Sequence, residues 1–392
     1  MPDDENAADQ IDGDMTSHMI DLLRVAAHMQ GPIVDILDKL ESELTDDIET
    51  AGGRAMTPFS RDRLAKLLKQ TRDTISTAYQ QIDMLQMQQL GDVARASAKA
   101  LLNSINGVLR VEVATVAVTA DQLRAIAGKA MIDGRYPKEW WARQDEQLAD
   151  RFAVQMRLGM LKGEGIDQLV RRVKGTRASG YSDGIMDVQR RQAEALVRTS
   201  VMTVAGEARK EAIENNQDII KGVTWRSTLD SRTTAHCVSY DGLSWSLPDY
   251  KPIDHDKEWD GGPPAHWNCR SCSVPVVKSW KELSKNPPDD LPDDADTLDE
   301  AIRQKYKDKG WSDEKIDSLL DATRASMDGQ VPTAQGFDGW LNGKSEEFQN
   351  DLLGVEKARL WRDGKVTLQE LTDQSGNPLT IAELHAKLGI TD

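Results

Sequence analysis

Residues Val223–Val277 read VTWRSTLDSRTTAHCVSYDGLSWSLPDYKPIDHDKEWDGGPPAHWNCRSCSVPVV, and they gather the scarce residue types of the chain. All three cysteines lie here, as Cys237, Cys269 and Cys272. So do His236, His255 and His266, half of the six histidines, together with Trp225, Trp245, Trp259 and Trp267. Such clustering implies that the cysteines meet at one point in space. Thiolate and imidazole bind Zn²⁺ tetrahedrally, and a Cys-x-x-Cys turn can present two sulfurs to one ion. Cys269 and Cys272 form that pair, and His266 precedes it by three residues, so one turn can supply three ligands. Cys237 is the expected fourth, closing a loop of about thirty residues, well beyond the usual spacing within a pair. His236 competes with His266 for the last place. The expectation is one structural zinc on Cys237, His266, Cys269 and Cys272. The competing reading is three thiols inside a compact β subdomain, with or without one disulfide.

Composition bounds the rest. At 392 residues the chain exceeds one typical domain. Apolar residues make up 39% and aromatics only 5%, which suits a mainly helical protein. The formal net charge of -16 argues against bulk duplex binding. The charge is uneven, however. Arg171, Arg172, Arg190 and Arg191 lie in a basic stretch between Arg151 and Lys210, which permits a local basic interaction face. An odd cysteine count does not build a disulfide framework and points to a reducing compartment. The acidic N-terminus lacks a signal-peptide pattern, and no apolar run is long enough to span a membrane. A soluble protein made in a cytoplasm is expected.

The fold class expected is α+β and mainly α-helical: long helices, a small Cys/His-rich β subdomain and a C-terminal helical segment. Residues 1–18 are acidic and read as a disordered tail. Residues 19–130 form an N-terminal helical region, with Leu22, Ile33, Leu37, Leu40 and Leu44 at helical spacing and a break or restart expected at Pro32. The long stripe Leu64, Leu67, Thr71, Ile75, Ala78 and Ile82 reads first as an intramolecular helix pair and second as a docking face. Val108–Val118 alternates and suits a short strand or a helix junction. Residues 131–215 form a helical core, 216–284 the Cys/His-rich β subdomain, 285–296 an acidic Pro-rich linker and 297–392 the C-terminal helices.

The segments Trp225-Arg-Ser-Thr-Leu-Asp230-Ser-Arg232-Thr, Cys237, Tyr240-Asp241-Gly242 and Pro263-Pro264-Ala-His266-Trp-Asn268-Cys269-Arg270 together resemble the phage Mu F-like minor head protein family, also called head morphogenesis proteins. Two departures stand out: Tyr240 where the family has Leu, and Cys-x-x-Cys where it has Cys-x-Cys. The resemblance continues through LKGEGIDQLVRRV and AEALVRTSVMTVAGEARKEA, and through Phe337–Trp340 and Ala358–Leu360. It implies a non-enzymatic minor head protein of a tailed phage. It also implies binding to the portal protein at the portal vertex during procapsid assembly, with major capsid or scaffolding protein and DNA as further contacts. The implied location is the virion, in the head interior or at the portal vertex, reached from the host cytoplasm. Trp225, Asp230, Arg232, Asp241, Gly242, Asn268 and Arg270 carry over as motif residues with structural roles. For Asp230 and Arg232 the residues themselves favour a self-bonded turn over a catalytic acid with an anion clamp.

Other chemistry fits poorly. Gly339–Ser345 imitates a phosphate loop but has three residues between its glycines where four are required. A zinc deaminase needs His-x-Glu and Pro-Cys-x-x-Cys, and neither occurs. No His-Glu-x-x-His is present. Two alternatives stand beside the head-protein expectation: a zinc-stabilised nucleic-acid-binding module, and a hydrolase or toxin-like domain fused to a head protein.

Overall fold

A computed structural model describes residues 4–52, 61–109, 115–278, 282, 323–332 and 335–390. Over these residues the protein is α+β and mainly helical. It comprises two compact units, one built from Met1–Asp21, Arg95–Ala120 and Ala205–Asp392, the other from Leu22–Ala94 and Asp121–Val204.

The longest elements are α1 (Asp4–Gly52) and α2 (Arg61–Leu109). Along α1 the side chains of Ile11, Met15, Met19, Leu22, Ala26, Met29, Ile33, Leu37, Leu40, Leu44 and Ile48 are buried. They recur every three or four residues, so one apolar stripe drives the whole helix. The stripe begins at Ile11, inside the expected disordered tail, and the helix starts at Asp4. It also runs through Pro32, where a break was expected. Pro32 is exposed, and there water can replace the hydrogen bond that proline removes, while Met29 and Ile33 keep the stripe continuous.

The unit containing Leu22–Ala94 adds α3 (Ala120–Lys129), α4 (Pro137–Leu161), α5 (Ile166–Lys174) and the first part of α6 (Ile185–Glu214). Trp141, Leu148, Phe152 and Met156 bury one face of α4. Two buried aromatic donors of this unit find partners: Trp141 Nε1 donates to Gln86 Oε1 at 2.6 Å, and the Tyr79 hydroxyl donates to Gln189 Oε1 at 3.1 Å.

The other unit holds the antiparallel sheet β3–β2–β1–β4, made of β1 (Ile220–Arg226), β2 (Ser244–Ser246), β3 (Lys251–Ile253) and β4 (Cys272–Val277), with the short helix α7 (Ala235–Tyr240). Trp225, Tyr240 and Trp245 are fully buried and pack edge-to-face or stacked, with ring centroids 5.2 and 5.5 Å apart. The C-terminal helices α8 (Phe337–Asn342), α9 (Glu346–Leu353), α10 (Val355–Arg362) and α11 (Ile381–Leu388) follow a hairpin of β5 (Thr323–Ser326) and β6 (Gly329–Pro332). Leu229 and Val238 share one hydrophobic cluster with Phe337, Trp340, Leu360 and Leu384, so the C-terminal helices and the sheet subdomain have a common core. Polar bonds reinforce it. Asp241, 6% exposed, accepts from Ser227 N at 2.8 Å and from Phe337 N at 2.9 Å. The buried Lys257 donates to both carbonyls of Thr372 and Asp373 and to the Thr372 hydroxyl. The linker expected at 285–296 lies outside the described residues, as do residues 110–114 of the Val108–Val118 stretch; its first two residues end α2, and Thr115–Thr119 form neither helix nor strand.

In the same unit His18 meets Ser97 Oγ at 3.1 Å. Burial, helped by the Arg209 charge, lowers its pKa to about 4. The unfolded chain therefore binds a proton there near pH 6.5 that the folded chain refuses. Stability is fully present above pH 6.5 and falls as the pH drops from about 6.5 towards about 4. Urea unfolding of His18→Gln over this range should show a flatter pH dependence than the parent chain.

Candidate metal centre

Three of the expected ligands converge. The Cys237 sulfur lies 3.2 Å from His266 Nε2 and 3.7 Å from the Cys269 sulfur. All three ligand atoms fall within 4.8 Å of one another. Tetrahedral zinc bonds of about 2.3 Å to sulfur and about 2.0 Å to nitrogen require edges of about 3.8 Å between sulfurs and about 3.6 Å between sulfur and nitrogen. The triangle is close to one face of that tetrahedron.

Local structure explains the convergence. Thr234 caps α7, its hydroxyl accepting from Cys237 N at 3.4 Å, and so sets Cys237 on the first turn. Ser227 Oγ donates to the Cys237 carbonyl at 2.8 Å and stands 3.1 Å from Ser271 Oγ, joining the end of β1 to α7 and to the start of β4. On the other side Cys269 N donates to the His266 carbonyl at 3.1 Å, closing a turn in which Asn268 takes φ +59°. Asn tolerates this left-handed conformation better than most residues. Gly206 of α6 lets the preceding loop approach: a Cβ there would lie 2.7 Å from the Pro263 carbonyl oxygen.

The motif residues complete the frame. The Asp230 carboxylate accepts Arg232 N at 2.9 Å, as a self-bonded turn requires, and receives both terminal nitrogens of Arg270. Burial would raise the Asp230 pKa, but the Arg270 guanidinium outweighs it and holds the carboxyl below its usual range. The Arg232 side chain is itself 80% exposed. Trp225 Nε1 donates to Ser227 Oγ at 3.0 Å, and Gly242 turns the chain at φ +83°.

The electrostatics set the two thiols apart. The hydrogen bond from Cys237, with His266 beside it, holds the Cys269 thiol well below its ordinary range. The same bond and burial push Cys237 up, while Cys269 raises His266. His266 Nδ1 faces the Trp267 carbonyl at 2.9 Å. A carbonyl only accepts, so in the neutral ring Nδ1 carries the proton and Nε2 offers its lone pair to the triangle.

Cys272 departs from the expected set. It lies outside the triangle, because the chain enters β4 at this residue and its Cα pairs with Arg226 across the sheet. The strand register, and not a knuckle turn, fixes its side chain. Its electrostatic neighbour is Arg209, a fully buried guanidinium whose pKa burial lowers and Cys272 raises. His236 does not join either. It stacks on Tyr240 at 4.3 Å and pairs with Asp260 at 2.8 Å. The site residues that sequence reasoning missed are Thr234, Ser227 and Ser271. Thr234 alone left a trace, a capping residue three positions before Cys237.

The four arginines are not equivalent. Arg172 is bonded to both Glu164 oxygens and to Gln155, and Arg190 to Asp38 and Glu41. Arg171 is exposed, and the Arg191 side chain is 66% exposed beside Asp187.

The Asp230–Arg270 pair is almost wholly buried, so Asp230→Asn should cost about 3 kcal/mol in urea unfolding at neutral pH. The folded pKa of Asp230 is depressed, so its contribution is present above about pH 3.9 and is lost as the pH falls below that value. The difference between parent and variant should shrink accordingly in acid.

Residues 150–274 match the model of a family described as phage Mu protein F like protein. No curated protein and no solved structure matches the chain. The matched range includes α5, α6, β1 to β3, α7 and all three residues of the triangle, and it stops short of the C-terminal helices. Over residues 150–274, then, the chain is similar to the phage Mu protein F like family.

Proposed function

We propose that the protein is a minor head protein of a tailed phage, acting in head morphogenesis as a structural component and not as an enzyme. The observation that carries this reading is the family match over residues 150–274. The partner inferred is the portal protein, bound at the portal vertex during procapsid assembly, with major capsid or scaffolding protein as a further contact and a role in DNA packaging or delivery. Surface features support a protein partner. Val154, Leu158 and Leu161 are 48%, 40% and 84% exposed at one-turn spacing on α4, an apolar strip on an otherwise polar face. Arg171 and Arg191 offer the exposed cationic contacts, since Arg172 and Arg190 are engaged by internal carboxylates. That engagement, with a net charge of -16, weighs against the nucleic-acid-binding alternative. No described helix is long and apolar enough to cross a membrane.

The metal inferred at the triangle is zinc, chosen by two thiolates and an imidazole. Its role is to staple α7 to the 266–269 turn in a subdomain whose own core is small.

Mass spectrometry of gradient-purified particles should find the protein in virions or procapsids, and it should co-purify with the portal oligomer of the same phage. Absence from both particle types would refute the head-protein reading. Arg171→Glu with Arg191→Glu should reduce particle yield while leaving the far-ultraviolet circular dichroism unchanged. Metal analysis of the purified chain should give about one zinc per chain, falling to near zero in Cys269→Ser.

A further inference from the structure

The triangle of Cys237, His266 and Cys269 is one ligand short of the four that zinc takes. Among the described residues no further Cys, His, Asp or Glu joins it, and Cys272 is held in the sheet. The group that stands at the triangle instead is a hydroxyl. Thr234 Oγ1 lies 3.0 Å from His266 Nε2, the same nitrogen that faces the Cys237 sulfur. Thr234 is exposed, and His266 is only partly buried, whereas both sulfurs are buried. The triangle therefore has an inner, sulfur-lined side and an outer side that reaches solvent at Thr234.

A neutral hydroxyl is not among the usual protein ligands of zinc, which are thiolate, imidazole and carboxylate. It is, however, both a donor and an acceptor, and can hydrogen-bond a group bound beside it. Structural zinc sites are closed by four protein ligands, whereas three protein ligands leave a corner that exchanges.

We propose that this is an open site: Cys237, His266 and Cys269 hold the metal, and the fourth corner, beside Thr234, takes an exchangeable monodentate nitrogen or sulfur donor from outside the chain. Water fills the corner when no such donor is offered. Thr234 is a positioning residue there, its hydroxyl hydrogen-bonding the incoming group. Two thiolates and a neutral imidazole already balance the charge of a divalent ion, so the corner accepts a neutral donor such as imidazole without leaving net charge in a partly buried site. This inference rests on the triangle binding metal, and the test separates the two.

The full chain, stripped of metal and loaded with Co²⁺, should show the visible d–d bands of a tetrahedral site with sulfur ligands. Titration with imidazole should shift those bands saturably. Cys272→Ser should leave the cobalt stoichiometry, the thiolate-to-cobalt charge-transfer intensity and the imidazole shift unchanged. Thr234→Val should raise the half-saturating imidazole concentration about threefold, the loss of one ordinary hydrogen bond, and Thr234→Ser should restore it. A tetrahedral spectrum that imidazole does not move overturns the open corner while leaving the metal in place. Loss of charge-transfer intensity in Cys272→Ser also overturns it, by making Cys272 the fourth ligand. An unchanged midpoint in Thr234→Val removes Thr234 from the corner. A chain that binds no cobalt at all overturns the metal reading as well.

Discussion

The bond between the Asp230 carboxylate and the Arg270 guanidinium decides whether the two halves of the site meet. Asp230 lies in the turn that leads into α7 and Cys237, and Arg270 follows Cys269 directly. Forty residues separate them. A bidentate guanidinium–carboxylate pair fixes direction as well as distance, which a hydrophobic contact would not. With Thr228 Oγ1 also donating to the Arg270 carbonyl at 3.0 Å, the 266–270 turn is anchored through its backbone and its side chain. The frame thus brings the three donors of the triangle together.

Much of this was legible in the sequence, for a reason that varies with the element. The helical stripes were, because one face of a long helix must be apolar at every turn, and Ile33 to Leu44 repeat without a gap. The convergence of Cys237, His266 and Cys269 was, because thiols and imidazoles are scarce and their clustering is informative. The place of Cys272 was not. Cys-x-x-Cys reads as a knuckle only if the chain keeps turning, and whether it turns or enters a strand depends on β1, nearly fifty residues earlier in the chain. The acidic first residues misled in a similar way. Charge suggested disorder, while Ile11 and Met15 continue the stripe beneath it. Arg172 and Arg190 looked like a basic face because the carboxylates that engage them, Glu164 in one case and Asp38 and Glu41 in the other, are close in space and invisible in composition.

The C-terminal helices depend on the sheet subdomain through buried polar contacts as much as through Phe337 and Trp340. Lys257 is 3% exposed, and burial lowers its pKa, yet all its donors reach oxygen on Thr372 and Asp373. Tyr240, stacked in the aromatic cluster, donates to the Glu258 carbonyl, and the Thr372 hydroxyl donates to Ser239. A buried ammonium with three acceptors is tolerated, while one with none is strongly unfavourable. The loop at 372–374 therefore cannot leave without exposing the subdomain to that penalty.

The bond from Arg226 to Asp12 spans 214 residues of chain. On a ribosome, the start of α1 must therefore wait until β1 has been made before this contact can form. The unit built from Leu22–Ala94 and Asp121–Val204 faces no such delay, since all its segments have been synthesised by residue 204. Synthesis in chain order thus sets Asp12 among the groups whose partners arrive late, well after α1 itself has been made.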